Sequence, residues 1–79
     1  MSYKILLVLR ALDEVGGKAN ASALLAYMNM RFPTRKVLRT FNSVNAALAY
    51  CAQLQLVNRF WVGEENFGRF AVYENIKLI

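Results

Sequence analysis

The chain has 79 residues, 57% of them hydrophobic, with ten Lys or Arg against five Asp or Glu, one Cys and no His. An average domain is roughly 45–50% apolar, so this composition excludes a disordered chain and indicates one small domain over residues 1–79. The single Cys and the absence of His exclude a Cys/His zinc cluster and an intrachain disulfide framework, and we expect neither a metal nor a cofactor.

The first predicted element is a helix over residues 3–15. It ends at Gly16-Gly17, because glycine commonly follows the last turn of a helix. The apolar run over residues 5–9 stops at Arg10, which makes it too short for a membrane span, so we expect a soluble, cytoplasmic protein. The apolar positions of this helix recur at steps of three and four residues, at Ile5, Leu6, Val8, Leu9, Leu12 and Val15.

A second helix is predicted from a cap at Asn20 or Ser22 to about Met30. It contains no charged residue, so we expect it to be buried on more than one side. The chain then breaks, because Pro33 biases Phe32 away from helical angles.

Helical periodicity returns over residues 34–55, and two alternatives fit it. One is a single helix, and the other is a short helix over residues 34–40 followed by a longer helix capped by Asn42 or Ser43. Three residues that favour caps over helix interiors, Thr40, Asn42 and Ser43, favour the second alternative. Cys51 lies on the apolar stripe of the longer helix, and we expect it in the core rather than in a redox site.

The period changes to two after residue 56, which predicts a β-hairpin with strands at residues 57–62 and 69–73 and a turn at residues 63–68. The tail after it carries further apolar residues that could pack on the first helix or on a partner. The aromatic residues of the hairpin are expected to pack onto the helices, although such residues also stack on bases in single-strand binders; they are Phe60, Trp61, Phe70 and Tyr73.

The order of helix, helix, turn, helix and hairpin is joined by short motifs: VNAAL at residues 44–48, LVNR at residues 56–59, Gly68-Arg69 and Tyr73. With these motifs the chain resembles the winged helix-turn-helix domains. The resemblance implies an α+β fold of three or four helices followed by a β-hairpin wing. Gln55 stands where that superfamily usually has a glycine, and residues 31–40 exceed its usual helix–helix turn.

The resemblance also implies that the last helix enters the major groove of double-stranded DNA. Between residues 15 and 63 the chain has six basic residues and no acidic one, which is typical of a surface for a polyanion. Basic side chains would neutralise phosphates, asparagine could bond an adenine edge, and arginines on the hairpin suit a narrow minor groove. The predicted DNA-binding residues are Arg31, Arg35, Lys36, Arg39, Thr40, Asn42, Ser43, Asn45, Arg59 and Arg69. Plain capping is the alternative for Thr40, Asn42 and Ser43.

The sequence therefore predicts a sequence-specific DNA-binding protein, a small transcriptional regulator of a phage, virus or plasmid. It is expected to work as a homodimer through the first helix and the apolar tail, without a small-molecule ligand. No enzyme is expected, because the chain lacks His and any phosphate-binding glycine motif. One alternative is a protein-interaction module, which the apolar content and the acidic Glu64-Glu65 tip would suit. Another is an RNA or single-strand binder, which requires exposed Phe60 and Trp61.

Overall fold

The computed structural model describes residues 2–64 and 68–76. Over these residues the elements run in the order α1 (Tyr3–Glu14), β1 (Lys18–Asn20), α2 (Ala21–Arg31), α3 (Phe41–Gln53), β2 (Val57–Glu64) and β3 (Gly68–Asn75). The three strands form one antiparallel sheet of order β1-β3-β2, against which the three helices pack. The predicted α+β class is confirmed.

Helix α1 follows its prediction closely. It begins after Ser2, whose side-chain oxygen accepts a hydrogen bond from the Ile5 amide at 3.3 Å. Beyond its last residue, Gly16 takes φ 103°, a left-handed conformation that glycine adopts without strain. The buried face includes Leu7 and Ala11, whereas Leu6 points outward and is 54% exposed.

The short strand β1 was not predicted from the sequence. It has three residues and none of them is β-branched or aromatic, so it carries no strand pattern of its own. Pairing with β3 makes it a strand, with Ala19 opposite Tyr73. Asn20 ends the strand and also caps α2, since its Oδ1 accepts a hydrogen bond from the Ala23 amide at 2.8 Å.

Helix α2 confirms the cap at Asn20 but not the expected burial. Only one face is buried, through Ala21, Leu24 and Met28, and Met30 is 76% exposed. The expectation of burial on more than one side is therefore wrong. Apart from Arg31 at its end, the outer face consists of small or flexible side chains that tolerate solvent.

The segment between α2 and α3 is irregular. In the described part of the chain residues 34–40 form no helix, so the fold has three helices, and the predicted short helix is wrong. Leu38 has φ 59°, which is incompatible with a right-handed helix. The predicted boundary before the longer helix is confirmed, but the cap is Thr40 rather than Asn42 or Ser43. The Thr40 Oγ1 accepts a hydrogen bond from the Ser43 amide, and the Ser43 Oγ accepts one from the Thr40 amide, each at 3.1 Å.

Helix α3 ends in a Schellman motif. The Leu56 amide donates to the Cys51 carbonyl at 2.9 Å, and the Gln55 amide donates to the Ala52 carbonyl at 3.1 Å. This motif places Gln55 at φ 60°. The end of α1 has the same pair of hydrogen bonds with Gly16 at the equivalent position. Gln55 therefore occupies a backbone conformation that glycine favours.

Strands β2 and β3 confirm the predicted hairpin and are longer than expected. Their register places Arg59 opposite Tyr73, Trp61 opposite Ala71 and Gly63 opposite Arg69. The tip at residues 65–67 and the tail at residues 77–79 lie outside the described residues, as do the expectations made for them.

The core lies between the helices and the inner face of the sheet. Cys51 is fully buried on α3, as predicted, and burial raises the pKa of its thiol. Within residues 2–64 and 68–76, no helix has both the length and the apolar character needed to cross a membrane. The most deeply buried large side chains are Val8, Leu12, Leu24, Met28, Val44, Leu48 and Tyr73.

Candidate nucleic-acid interface

A cleft of about 260 Å³ lies where the hairpin meets the N-terminal ends of α2 and α3. It brings together two arginines, several aromatic rings and three small polar side chains from five different elements. Its lining residues are Asn20, Ala21, Ser22, Phe41, Asn45, Arg59, Trp61, Arg69, Phe70, Ala71 and Tyr73. We refer to it as the wing cleft.

The strand register explains why two arginines meet in the wing cleft. Alternate residues of β2 share a face, so Val57, Arg59 and Trp61 point the same way. Residues directly opposite each other also share a face, which adds Tyr73 and Arg69. Val57 and Tyr73 are core residues, so this face is the one turned toward the helices. Nearer the tip of the hairpin, the side chains of the same face, Trp61 and Arg69, are exposed to solvent.

Trp61 is 58% exposed and lies between the two arginines of the wing cleft. The guanidinium carbons of Arg59 and Arg69 are 5.9 and 5.8 Å from the centroid of its ring. The strands come close together just beyond it, because a Cβ on Gly63 would lie 2.6 Å from the Gly68 carbonyl oxygen. Only glycine fits there, and the strand register places Arg69 opposite Gly63.

Asn45 is held in place by a buried tyrosine. The Tyr73 hydroxyl, on a ring that is 1% exposed, donates a hydrogen bond to the Asn45 Oδ1 at 3.2 Å. The contact orients the amide, so that its Nδ2 donor and the second lone pair of Oδ1 remain for another partner. The sequence carries no signal that these two residues touch, because they are 28 positions apart.

The polar residues at the start of α3 divide into two groups. Thr40 and Ser43 form the capping box, so the capping alternative is confirmed for both of them. Asn42 does not provide the cap and is exposed. Its neighbour Phe41 is 48% exposed and lines the wing cleft.

Arg35 is not a surface residue, which corrects its prediction as a DNA contact. It is 6% exposed, and its guanidinium donates four hydrogen bonds: two to the Leu38 carbonyl, one to the Phe32 carbonyl and one to the Asn29 side chain. Burial, followed by the nearby charge of Arg39, lowers the pKa of Arg35. With four of its five N–H donors used inside the protein, Arg35 shapes the loop instead of meeting phosphates.

Lys36 and Arg39 remain as exposed basic residues just before α3. Arg39 Nη1 donates to the Arg35 carbonyl at 2.8 Å, which holds the side chain along the loop. Both residues remain candidates for contacts with phosphates.

Arg31 belongs to a second cluster, at the C-terminal ends of α1 and α2. Its Nε lies 3.3 Å from Glu14 Oε1, and Arg10 pairs with the same carboxylate at 3.1 Å. The Tyr27 hydroxyl also donates to Glu14; this bond, with Arg10 and Arg31, outweighs partial desolvation and lowers the pKa of Glu14. Arg31 shares the single negative charge of Glu14 with Arg10, so only part of its charge is balanced, which weakens its case as a DNA contact without removing it.

The expected packing of the hairpin aromatics onto the helices is confirmed for Tyr73 and wrong for the other three. Trp61 and Phe70 are 58% and 48% exposed, and Phe60 is half-buried on the outer face under Lys18. The hairpin extends past the helices, so its distal aromatic rings have little to pack against. The single-strand alternative required exposed Phe60 and Trp61, and only Trp61 meets that requirement.

Comparison with known proteins gives no relative: no protein-family model, no curated protein and no solved structure matches the chain. Among the described residues no three His, Cys, Asp or Glu side chains are grouped as metal ligands.

Proposed function

We propose that this chain binds double-stranded DNA as a winged helix-turn-helix protein and acts as a small transcriptional regulator. In this proposal α2 and α3 are the helix pair, α3 enters the major groove, and β2 and β3 form the wing. Three helices with a three-stranded antiparallel sheet of order β1-β3-β2 are compatible with that layout.

The observation that carries the proposal is the meeting of Arg59 and Arg69 with the first turns of α3 in one cleft. A helix that reads base edges needs cationic groups beside it to hold the phosphate backbone. The two arginines come from different strands and reach the same side as Asn45, so helix and wing present one surface. That surface carries positive charge next to hydrogen-bonding side chains.

The distribution of charge supports the same surface. Lys36 and Arg39 are exposed just before α3, where the helix N-terminus adds a partial positive charge. Glu14 is paired with arginines at the other end of α1 and α2. Glu74 lies opposite Asn58 and Lys18, on the outer face of the sheet, away from the wing cleft. Among these groups, phosphates would meet cations on the α3 side.

In this proposal, base recognition depends on the side-chain amides of asparagine and glutamine. Helix α3 has no charged residue, and its exposed or half-buried polar side chains include Asn42, Asn45 and Gln53. Asparagine and glutamine bond the N6 and N7 of adenine, so we expect an A·T-containing target. The small Ala46 and Ala49 allow the helix to approach the groove closely.

The regulator is further proposed to act as a homodimer that binds a near-palindromic site. The surface of α1 that is available for a dimer interface is smaller than predicted, because the apolar stripe of the helix is buried in the core. Tyr3 and Leu6 remain exposed on α1, at 64% and 54%. Sedimentation of the free and DNA-bound protein measures the stoichiometry: one chain per site contradicts this part of the proposal alone.

The test is fluorescence anisotropy of labelled blunt duplex DNA, titrated across salt concentrations. The wild type should bind at low salt, with an affinity that falls steeply as salt rises. Arg69→Gln and Arg59→Gln should each weaken binding and reduce the slope of log affinity against log salt by about 0.9. Lys18→Gln is the matched control, because it removes one charge from the opposite face of the same sheet.

Folding of each variant is checked by circular dichroism before binding is compared. Absence of duplex binding at low salt by the folded wild type contradicts the proposal and favours a protein-interaction module. Equal losses in Lys18→Gln and Arg69→Gln would indicate a diffuse charge effect and contradict the assignment of the surface.

A further inference from the structure

We propose that the wing cleft binds an unpaired nucleotide, with its base stacked on Trp61 and its phosphates held by Arg59 and Arg69. The inference deepens the proposed function, on which it rests, by naming the class of DNA: a duplex with an adjoining single-stranded segment. An intact duplex would engage α3 and the two arginines, and an adjoining unpaired nucleotide would add a base stacked on Trp61.

The exposure of Trp61 is the first observation behind this inference. An indole that is 58% exposed, beside Phe41 at 48%, leaves apolar aromatic surface in contact with water at one site. Large aromatic side chains are normally used to build the core of a chain this small. Their exposure within a cleft, next to two cations, is the combination found where proteins stack bases along a charged backbone.

The two arginines supply the second observation. Their guanidinium groups lie within 6 Å of the Trp61 ring, one contributed by each strand of the hairpin. A nucleotide offers a flat base for the ring and an anionic phosphate for a guanidinium, so one ligand satisfies both groups. An uncharged aromatic ligand would leave the arginines without an anion.

Asn45 supplies the third observation. Its Oδ1 accepts from Tyr73, and its Nδ2 donor is directed by that contact. A base stacked on Trp61 has acceptor atoms on its edge that an amide donor can reach within a cleft of about 260 Å³. A hydrogen bond from Asn45 would then orient the base.

The stacking geometry selects unpaired bases. Within a duplex both faces of each base are covered by its neighbours, so an indole can stack only on a base that is unpaired or terminal. The Trp61 ring is therefore assigned to an unpaired base, while Arg59 and Arg69 contact phosphates of the duplex or of the adjoining single-stranded segment.

Trp61 is the only tryptophan of the chain, so its fluorescence reports on the wing cleft directly. Three probes are compared: a blunt duplex, the same duplex with a single-stranded overhang, and the single strand alone. We expect the overhang to bind about tenfold or more tightly than the blunt duplex and to quench Trp61 fluorescence more strongly.

Variants then separate stacking from general stability. Trp61→Ala should remove most of the preference for the overhang, measured by anisotropy, and Trp61→Phe should retain part of it because an aromatic ring remains. Val62→Ala is the matched control: it is the next residue of β2, 39% exposed on the opposite face. It should keep the wild-type preference.

The outcomes distinguish this inference from the proposed function. Equal binding of blunt and overhang duplexes without quenching overturns the inference and leaves duplex binding intact. Tight binding of the single strand without any duplex binding would support a nucleotide site in the wing cleft, but it would overturn the proposed function and the assignment of the partner as a duplex with a single-stranded segment. If none of the probes binds, both are overturned. An unchanged preference in folded Trp61→Ala also overturns the inference.

Discussion

The Arg35 guanidinium donates two hydrogen bonds to the carbonyl oxygen of Leu38, from Nε at 3.2 Å and from Nη2 at 2.8 Å. Leu38 has φ 59° and is 3% exposed, so this contact holds a buried leucine in a left-handed conformation. The loop between α2 and α3 therefore owes its shape to a buried cation that bonds to backbone oxygens.

Replacing Arg35 should destabilise the whole domain. Arg35→Ala would leave the carbonyls of Leu38 and Phe32 without their donors, and we expect a loss of about 2–4 kcal/mol in the free energy of unfolding. Arg35→Lys should recover only part of it, because an ammonium lacks the planar fork of the guanidinium. Urea denaturation measures both variants.

Lys36→Ala is the control for this prediction, since it removes an exposed charge from the adjacent position. Its effect should stay within about 0.5 kcal/mol. A similarly small effect for Arg35→Ala would show that the buried network does not stabilise the loop. DNA binding by Arg35→Ala should be compared only after its stability is known.

The regular elements could be predicted from the sequence because each has a local cause. Apolar residues that recur at steps of three and four, Val8 and Leu12 among them, define α1. The alternating run of residues around Arg59 defines the hairpin. β1 has no such pattern and depends on its pairing with β3. The sequence predicted the helix end at Gly16-Gly17 before β1 and the cap at Asn20 or Ser22 after it, but not the strand itself.

The candidate site was predictable only in part, because burial is a tertiary property. Nothing local distinguishes Arg35 from Lys36, yet one is buried in the loop and the other is exposed. Trp61 shows the reverse case: its residue type favours the core, but the hairpin carries it beyond the helices. The contact between Tyr73 and Asn45 likewise follows from the packing of β3 against α3.

The C-terminal end of α3 offers a stabilising substitution. Gln55 has φ 60°, a conformation that is strained for any residue with a Cβ, so Gln55→Gly should stabilise the protein by about 0.5–1 kcal/mol. Gly16→Ala tests the equivalent position of α1, where a Cβ would meet no atom within 4 Å. It should destabilise by about 1 kcal/mol through backbone strain alone.

Thermal or urea denaturation measures the change in stability of both variants. Opposite signs are expected, since glycine relieves strain at one helix end and its removal introduces strain at the other. Destabilisation by Gln55→Gly would mean that contacts of the Gln55 side chain outweigh the strain of its backbone.

The cluster around Glu14 predicts a dependence of stability on pH. The hydrogen bond from Tyr27 and the charges of Arg10 and Arg31 lower the pKa of Glu14 from its ordinary value of 4.5. The folded protein thus binds this proton at lower pH than the unfolded chain does. The resulting stabilisation is present above pH 4.5 and is lost as the pH falls through the lowered pKa.

Glu14→Gln should therefore be less stable than the wild type at neutral pH, and the difference should shrink as the pH falls below 4.5. Asp13→Asn is the matched control, because it removes the neighbouring carboxylate, which lies outside the cluster formed by Arg10, Tyr27 and Arg31. Denaturation across a pH series measures the difference. A constant difference at all pH values would show that the charge of Glu14 is not responsible.

Tyr73→Phe tests whether the buried hydroxyl positions Asn45. The substitution keeps the ring in the core and removes only the donor to Asn45 Oδ1, so we expect a loss of about 0.5–1.5 kcal/mol in stability. Duplex affinity should fall as well, with an unchanged salt slope, because no phosphate contact is lost. Tyr50→Phe, on a half-exposed ring of α3, is the control and should change neither quantity. A lower stability with unchanged affinity would leave Tyr73 a core residue without a positioning role.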